Sequence, residues 1–283
     1  MTLFLKIPGW ILVFLGAFFL SFGGIIVKSF EGATLWQILF WRSVFFSITV
    51  LIFLLIKYKK NIFKSFYKSG IPGFFGGIIL SVGYFSYVFA MYKTTVANTN
   101  FIIQTQAIFL AIFGYIFLKE KISKITLTSI ILAFSGIIIM VGNTLAPGQL
   151  EGNIVAFIMP ISFATLILIV RKFPDTDMIP LQFIAGIGAL IIGYLFSTKI
   201  LISFHDIYLG FLAGTLQVGF GFILITIGAR KTPAALVGII MLTEAVLGPL
   251  WAWLFVNENP PLVVLIGGAI VIIAVSLQFF EKK

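Results

Sequence analysis

From Ile7 to Phe280 this chain repeats apolar stretches of about twenty residues, separated by short loops. That recurrence constrains the fold more than any other feature. Coiled as a helix, such a stretch matches a hydrocarbon core about 30 Å thick. No water there can satisfy exposed backbone, so only helices and closed barrels cross. Barrel strands alternate apolar and polar residues, and these runs do not. The expected fold is an all-α polytopic membrane protein. Charged residues make up 10% of the chain, far below the roughly 25% of soluble domains.

Ten spans are predicted, at 7–27, 33–56, 70–91, 96–118, 125–141, 154–170, 179–196, 207–229, 234–256 and 262–280. A basic loop with Lys57, Lys59, Lys60, Lys64 and Lys68 follows the second, and the linker GNTLAPGQLEGN at 142–153 divides the chain. The first run is too long for a signal-peptide core and has no small-residue cleavage site, so it reads as a retained helix. The loops leave no room for a soluble domain, and no G-x-x-x-x-G-K-[ST] occurs, so the chain carries no ATPase of its own. With no cysteine, disulfides, thiol nucleophiles and Cys-ligated metals are excluded.

The net charge of +10 does not point to nucleic acid, because the basic residues sit in short loops and orient the protein. Fifteen of the 19 Lys and Arg residues fall on one side, among them the basic loop, Lys119, Lys121, Lys124, Arg171, Lys172, Arg230 and Lys231. Lys28, Lys93 and Lys199 fall on the other, and Arg42 lies inside a span. This asymmetry places both termini in the cytoplasm of a multi-pass protein of the cytoplasmic membrane.

The halves repeat each other. A constant shift of 138 residues pairs Gly76 with Gly214, Gly83 with Gly221, Lys93-Thr94 with Lys231-Thr232, Ala97 with Ala235, Thr105 with Thr243, Phe117 with Phe255 and Glu120 with Glu258. Residues 1–143 and 151–283 are thus read as two five-helix repeats. Five is odd, so the repeats insert in opposite orientations. Inverted repeats are the architecture of alternating-access transporters, whose site lies near the midplane between the repeats. Gln106 corresponds to Glu244, and both lie about ten residues into their spans, or roughly 15 Å deep.

This pattern resembles the drug/metabolite transporter superfamily, EamA branch. The features that carry the likeness are the five-plus-five inverted repeat, LKE at 118–120, VNE at 256–258, EAVLGPLWAWLFVNE at 244–258 and the arginine in FWRSVF at 40–45. Ala245 and Ala107 depart from it, standing where the family often has the proline that bends these spans. The resemblance implies movement of small metabolites, often amino acids or amines, across a cytoplasmic membrane. It also implies that the second span lies away from the central cavity.

Glu244 is the leading candidate residue, since a midplane charge costs at least ~2.5 kcal/mol and is retained for function. Gly248 and Trp251 share its helical face. A carboxylate beside an aromatic ring suits a cationic amine, and Glu244 could bind such a group, carry a coupling proton, or do both in turn. Tyr84, Tyr87, Asn98, Gln106, Gln217 and Ser21 are further candidate substrate-binding residues, because hydroxyls and amides in lipid must find polar partners. Arg42 either binds a substrate carboxylate or forms a structural pair with a partner such as Glu244, and the structural role is favoured. Glu120 and Glu258, at helix ends, are read as structural or gating. His205 is the only histidine, and no His/Asp/Glu cluster has metal-ligand spacing, so no metal or cofactor is expected.

The expected function is secondary transport of an amino-acid-like or amine metabolite, with protons a candidate coupling partner. An intramembrane enzyme would need two convergent catalytic groups, and a receptor or scaffold a soluble domain or partner surface; the sequence offers neither. Because the chain has no cysteine, single cysteines can report topology. Lys64→Cys and Lys121→Cys should label from the cytoplasmic side, and Lys93→Cys and Lys199→Cys from outside. Labelling of position 93 only from the cytoplasm would overturn the inverted arrangement.

Overall fold

A computed structural model describes residues 7–94, 96–141, 150–256 and 262–277. Every regular element among them is helical. The first half contains α1 (Gly9–Leu20), α2 (Gly23–Lys28), α3 (Leu35–Tyr58), α4 (Ile62–Lys93), α5 (Val96–Gln104), α6 (Gln106–Leu118) and α7 (Lys124–Val141). The second half contains α8 (Leu150–Ala156), α9 (Ile158–Lys172), α10 (Ile179–Phe196), α11 (Phe204–Phe211), a π-helix (Leu212–Phe220), α12 (Gly221–Ala229), α13 (Ala234–Met241), α14 (Thr243–Val256) and α15 (Leu262–Leu277). Among the described residues seven helical segments are long and apolar enough to cross a membrane, and the shorter apolar helices at 124–139 and 262–277 accompany them. Large apolar residues such as Ile52, Ile56, Phe75, Ile131, Leu195 and Leu254 are exposed on the outside. In water they would form an unstable patch, whereas lipid solvates them.

Local chemistry sets several helix ends. Thr34 and Gln37 form a reciprocal capping box at the start of α3. At the end of α6, Lys119 adopts a left-handed φ of 56°, and the Glu120 N–H reaches back to the Gly114 carbonyl at 3.0 Å. That closing turn brings Glu120 back beside the helix. The segment expected to be a basic loop folds as a 3-10 turn and the first turns of α4, which bends at Gly70 (φ 56°). There Ser65 and Ser69 occupy backbone carbonyls at 2.6 and 2.7 Å, so the segment needs fewer outside partners. The divide at 142–153 is likewise shorter than expected, because α8 already begins at Leu150.

Lipid provides no hydrophobic drive between helices, so close backbone approach must supply the attraction. The repeat-matched glycines do this reciprocally. A Cβ on Gly76 would strike Ile169 and Leu181, and one on Gly83 would strike Ser162, all in the second half. A Cβ on Gly214 would strike the Arg42 carbonyl and Phe45, and one on Gly221 would meet Leu20, all in the first half. The third helical segment of each half therefore packs against the other half. The main core runs through this interlock, with Phe46, Leu80, Phe163 and Phe222 buried in it. A second core joins α6 and α13 to α7 and α15 through Ala107, Ile130, Ala133, Ile239, Val271 and Ala274.

Gly214→Ala should lower thermal stability in detergent, because the new methyl meets backbone atoms that cannot move aside. Overpacking of this kind costs about 1–3 kcal/mol. Gly248→Ala should leave the melting temperature unchanged, because nothing lies within 4 Å of its Cβ position. Equal melting temperatures for the two variants would contradict the glycine interlock.

Candidate functional site

Four long segments are interrupted partway: α1 yields to α2 at Ser21–Phe22, α5 to α6 at Thr105, α8 to α9 at Phe157 and α13 to α14 at Leu242. The resemblance makes proline the bending residue, yet the segments with Ala107 and Ala245 break without one. At both points the backbone takes shorter bonds, from Thr105 N to Ile102 O at 3.0 Å and from Leu242 N to Ile239 O at 3.1 Å. A hydroxyl holds the local carbonyl in each case. Thr105 Oγ1 donates to Ile102 O at 2.6 Å and Thr243 Oγ1 to Ile240 O at 2.7 Å. Back-bonded threonine bends helices, and these two threonines are matched by the repeat. In the first segment Ser21 Oγ donates to Phe18 O at 2.6 Å, and Gln217 Nε2 donates to Leu20 O at 3.4 Å.

The candidate residues gather beside the break in the first segment. A side chain on Gly23 would collide with the Gln217 amide and the Tyr87 hydroxyl. Glycine there lets both reach the break. The Arg42 guanidinium lies 4.7 Å from the centre of the Tyr87 ring and 5.9 Å from that of Tyr84. Glu244 is near enough to act electrostatically on Tyr87. Trp251 Nε1 donates to Ser21 Oγ at 2.7 Å, and its ring stacks on Phe22 at 4.6 Å. Between Glu244 and Trp251, Gly248 faces open space. Glu244 itself is half-buried, so this face of α14 borders an open volume.

Glu244, Tyr87, Gln217, Ser21 and Trp251 thus come together, and Arg42 joins them. An Arg42–Glu244 pair is not formed: among the described residues no ion pair joins them. Arg42 is instead enclosed by Ser43, Phe46, Tyr84 and Val218, with its charge against two tyrosine faces. Arg42 of the second segment is therefore packed against Tyr84 and Tyr87 of the third. Tyr84 has a further commitment. Its hydroxyl donates to Gln182 Oε1 at 2.9 Å, and Gln182 Nε2 donates to Thr226 Oγ1 at 2.9 Å, which ties α4, α10 and α12 together. Gln106 is buried at the start of α6, with its Nε2 unpartnered. The Asn98 side chain and all of Glu258 lie outside the described residues.

Glu120 sits at the end of the bundle that also carries Arg171 and Arg230. Its Oε1 accepts from Arg171 Nε at 2.8 Å and from Arg171 Nη2, and its Oε2 accepts from the first backbone N–H of α13, on Ala234, at 2.8 Å. One carboxylate thereby joins the ends of α6, α9 and α13, where the helix N-terminus favours its charge. Nearby, Asp177 accepts from Lys57 at 2.7 Å and Tyr58 at 2.5 Å. Among the described residues no group of three His, Cys, Asp or Glu could hold a metal. Phe22, Gly23 and Arg171 were not singled out as site residues from the sequence. Ser21 and its flanking glycines mark the first two, whereas nothing local marks Arg171 as the partner of Glu120.

A crystal structure superposes on this chain with a TM-score of 0.80, covering 96% of this chain and 97% of that one at 14% identity. So distant a likeness speaks for the fold alone. No curated protein matches the chain significantly. The EamA-like transporter family matches at residues 7–142 and again at 150–280. The chain therefore belongs to the EamA-like transporter family, as a multi-pass membrane protein built from two copies of that unit.

Proposed function

We propose that this protein is a secondary transporter that moves a small amino-acid-like or amine metabolite across the cytoplasmic membrane by alternating access. Membership of a membrane transporter family supports the broad class. The observation that carries the finer reading is the open face of α14. There Glu244, Gly248 and Trp251 stand beside Tyr87, Gln217 and Ser21, at helix breaks placed as broken helices frame a transporter site.

The chain crosses ten times in this reading. The segment at 35–93 counts as two crossings around its bend at Lys59–Gly70, and the two shorter apolar helices complete the set. Residues 1–143 and 151–283 are the two inverted repeats, with both termini cytoplasmic. Glu120, Arg171 and the start of α13 then form a closure between the repeats at the cytoplasmic end, and the space at Gly248 lies toward the outside. Such a form receives substrate from outside. Rocking the repeats would undo the Glu120 contacts and open the opposite end. Glu258, matched to Glu120 by the repeat, is assigned the corresponding role there, and Gln106 and Asn98, on the segment that the repeat matches to that of Glu244, are assigned to substrate binding.

Purified protein in liposomes tests the reading. It should exchange a labelled substrate from a panel of amino acids, polyamines and quaternary amines, and absence of flux across the panel would refute transport. Glu244→Gln should nearly abolish uptake while the protein stays folded. One charge-assisted hydrogen bond is worth about 1.5–3 kcal/mol, or roughly tenfold to over a hundredfold in affinity. If Glu244 carries the coupling proton instead, exchange survives and pH-driven accumulation disappears. Wild-type uptake by a well-folded Glu244→Gln protein would refute both roles.

A further inference from the structure

We infer that Arg42 is an anion-binding group of this same site, so that the site selects a zwitterion: a carboxylate on Arg42 and an ammonium on Glu244. The inference rests on the transporter reading for its setting and on the unfilled polar atoms around Tyr87 for its content.

Arg42 is 4% exposed, and its Nε and Nη1 are buried with no hydrogen-bond partner. The other arginines of the chain are satisfied. Arg171 is held by Glu120 and the Arg230 carbonyl, and Arg230 by the Pro174 carbonyl. The carboxylates that could neutralise Arg42 are committed elsewhere. Asp177 serves Lys57 and Tyr58, Glu120 serves Arg171, and Asp206 accepts from the backbone of Glu31 and Gly32. Arg42 keeps only the faces of Tyr87 and Tyr84. Stacking on rings offsets part of the cost of burying a guanidinium but fills none of its N–H donors. A structural arginine in lipid is expected to have its donors filled, and this one does not.

The complementary vacancies lie on the other partners of Tyr87. Gln217 Oε1 is a buried acceptor with no partner. Glu244 has no hydrogen-bond or ion-pair partner among the described residues and borders open space. Tyr87 contacts Arg42 and Gln217 and feels the charge of Glu244. Free donors on Arg42 and a free acceptor on Gln217 thus both lie near Tyr87, which also feels Glu244. A simple amine would satisfy Glu244 and Gln217 Oε1 but leave Arg42 unpaired. A simple acid would do the reverse. A ligand with both groups satisfies all of them, and the guanidinium fork fits a carboxylate in particular.

The test compares matched sets of an L-amino acid, its decarboxylated amine and its N-acetyl derivative, by ligand-induced thermal stabilisation and by exchange in liposomes containing the full chain. Wild type should bind the amino acid at least about tenfold tighter than either counterpart. Arg42→Gln should remove the advantage over the amine by weakening amino-acid binding far more than amine binding, and Glu244→Gln should remove the advantage over the N-acetyl derivative. If Arg42→Gln does not fold, Arg42→Lys decides. A retained but weakened preference for the amino acid over the amine supports the inference, and equal binding of the two overturns it. Wild-type binding of amine and amino acid alike, or equal loss of both in Arg42→Gln, also overturns it. Zwitterion-selective binding without flux would sink the transport reading and leave the role of Arg42 standing. Flux of amines with no such preference would do the opposite.

Discussion

A chain that crosses a bilayer must satisfy its own backbone, because hydrocarbon offers no hydrogen bonds. The rest of this structure depends on that constraint. It makes every described element helical, and it allows a helix to break only where another group takes over the freed carbonyl. Thr105 and Thr243 perform that role at the two matched breaks, and Ser21 and Gln217 perform it in the first segment. The candidate site lies beside these breaks. Ser21 is at once the back-bonded residue of one break and the hydrogen-bond acceptor of Trp251. Gln217 likewise supports the Leu20 carbonyl and meets Tyr87.

The charges are distributed in two ways. At the end bearing Arg171 they are paired: Glu120 with Arg171, and Lys57 with Asp177. The side chains of Arg171 and Glu120 remain 22% and 18% exposed. Such partly wet pairs contribute on the order of 1 kcal/mol. In the centre, Arg42 and Glu244 share a neighbour without neutralising each other. Leaving charges unmatched in a medium of low dielectric is costly.

Packing carries the remaining stability. Gly76 and Gly83 lie against the second half, and Gly214 and Gly221 against the first, so neither half is complete without the other. Gly136 of α7 presses on the Gly267 carbonyl of α15 in the same manner at the edge of the bundle. Contacts of this kind depend on shape more than on desolvation. One added methyl group therefore matters more here than the removal of an exposed leucine.

Hydropathy and backbone chemistry act locally, so the sequence by itself determined the apolar helical segments, the division into two related halves and the face that Glu244 shares with Gly248 and Trp251. The constant shift of 138 residues also located Thr105 and Thr243, although not as the residues that bend their helices. Only the tertiary structure decided which polar groups meet. It turned Arg42 toward Tyr87 rather than into a pair with Glu244, committed the Tyr84 hydroxyl to Gln182, and gave Glu120 a partner in Arg171 from the other half. The reason is that these helices are apolar nearly all round, so their sequences carry little sign of which face turns inward. Rotation about each axis is set by close contacts such as Gly214 on the Arg42 carbonyl and Gly23 beneath Tyr87 and Gln217, and those contacts exist only once helices distant in sequence have packed together.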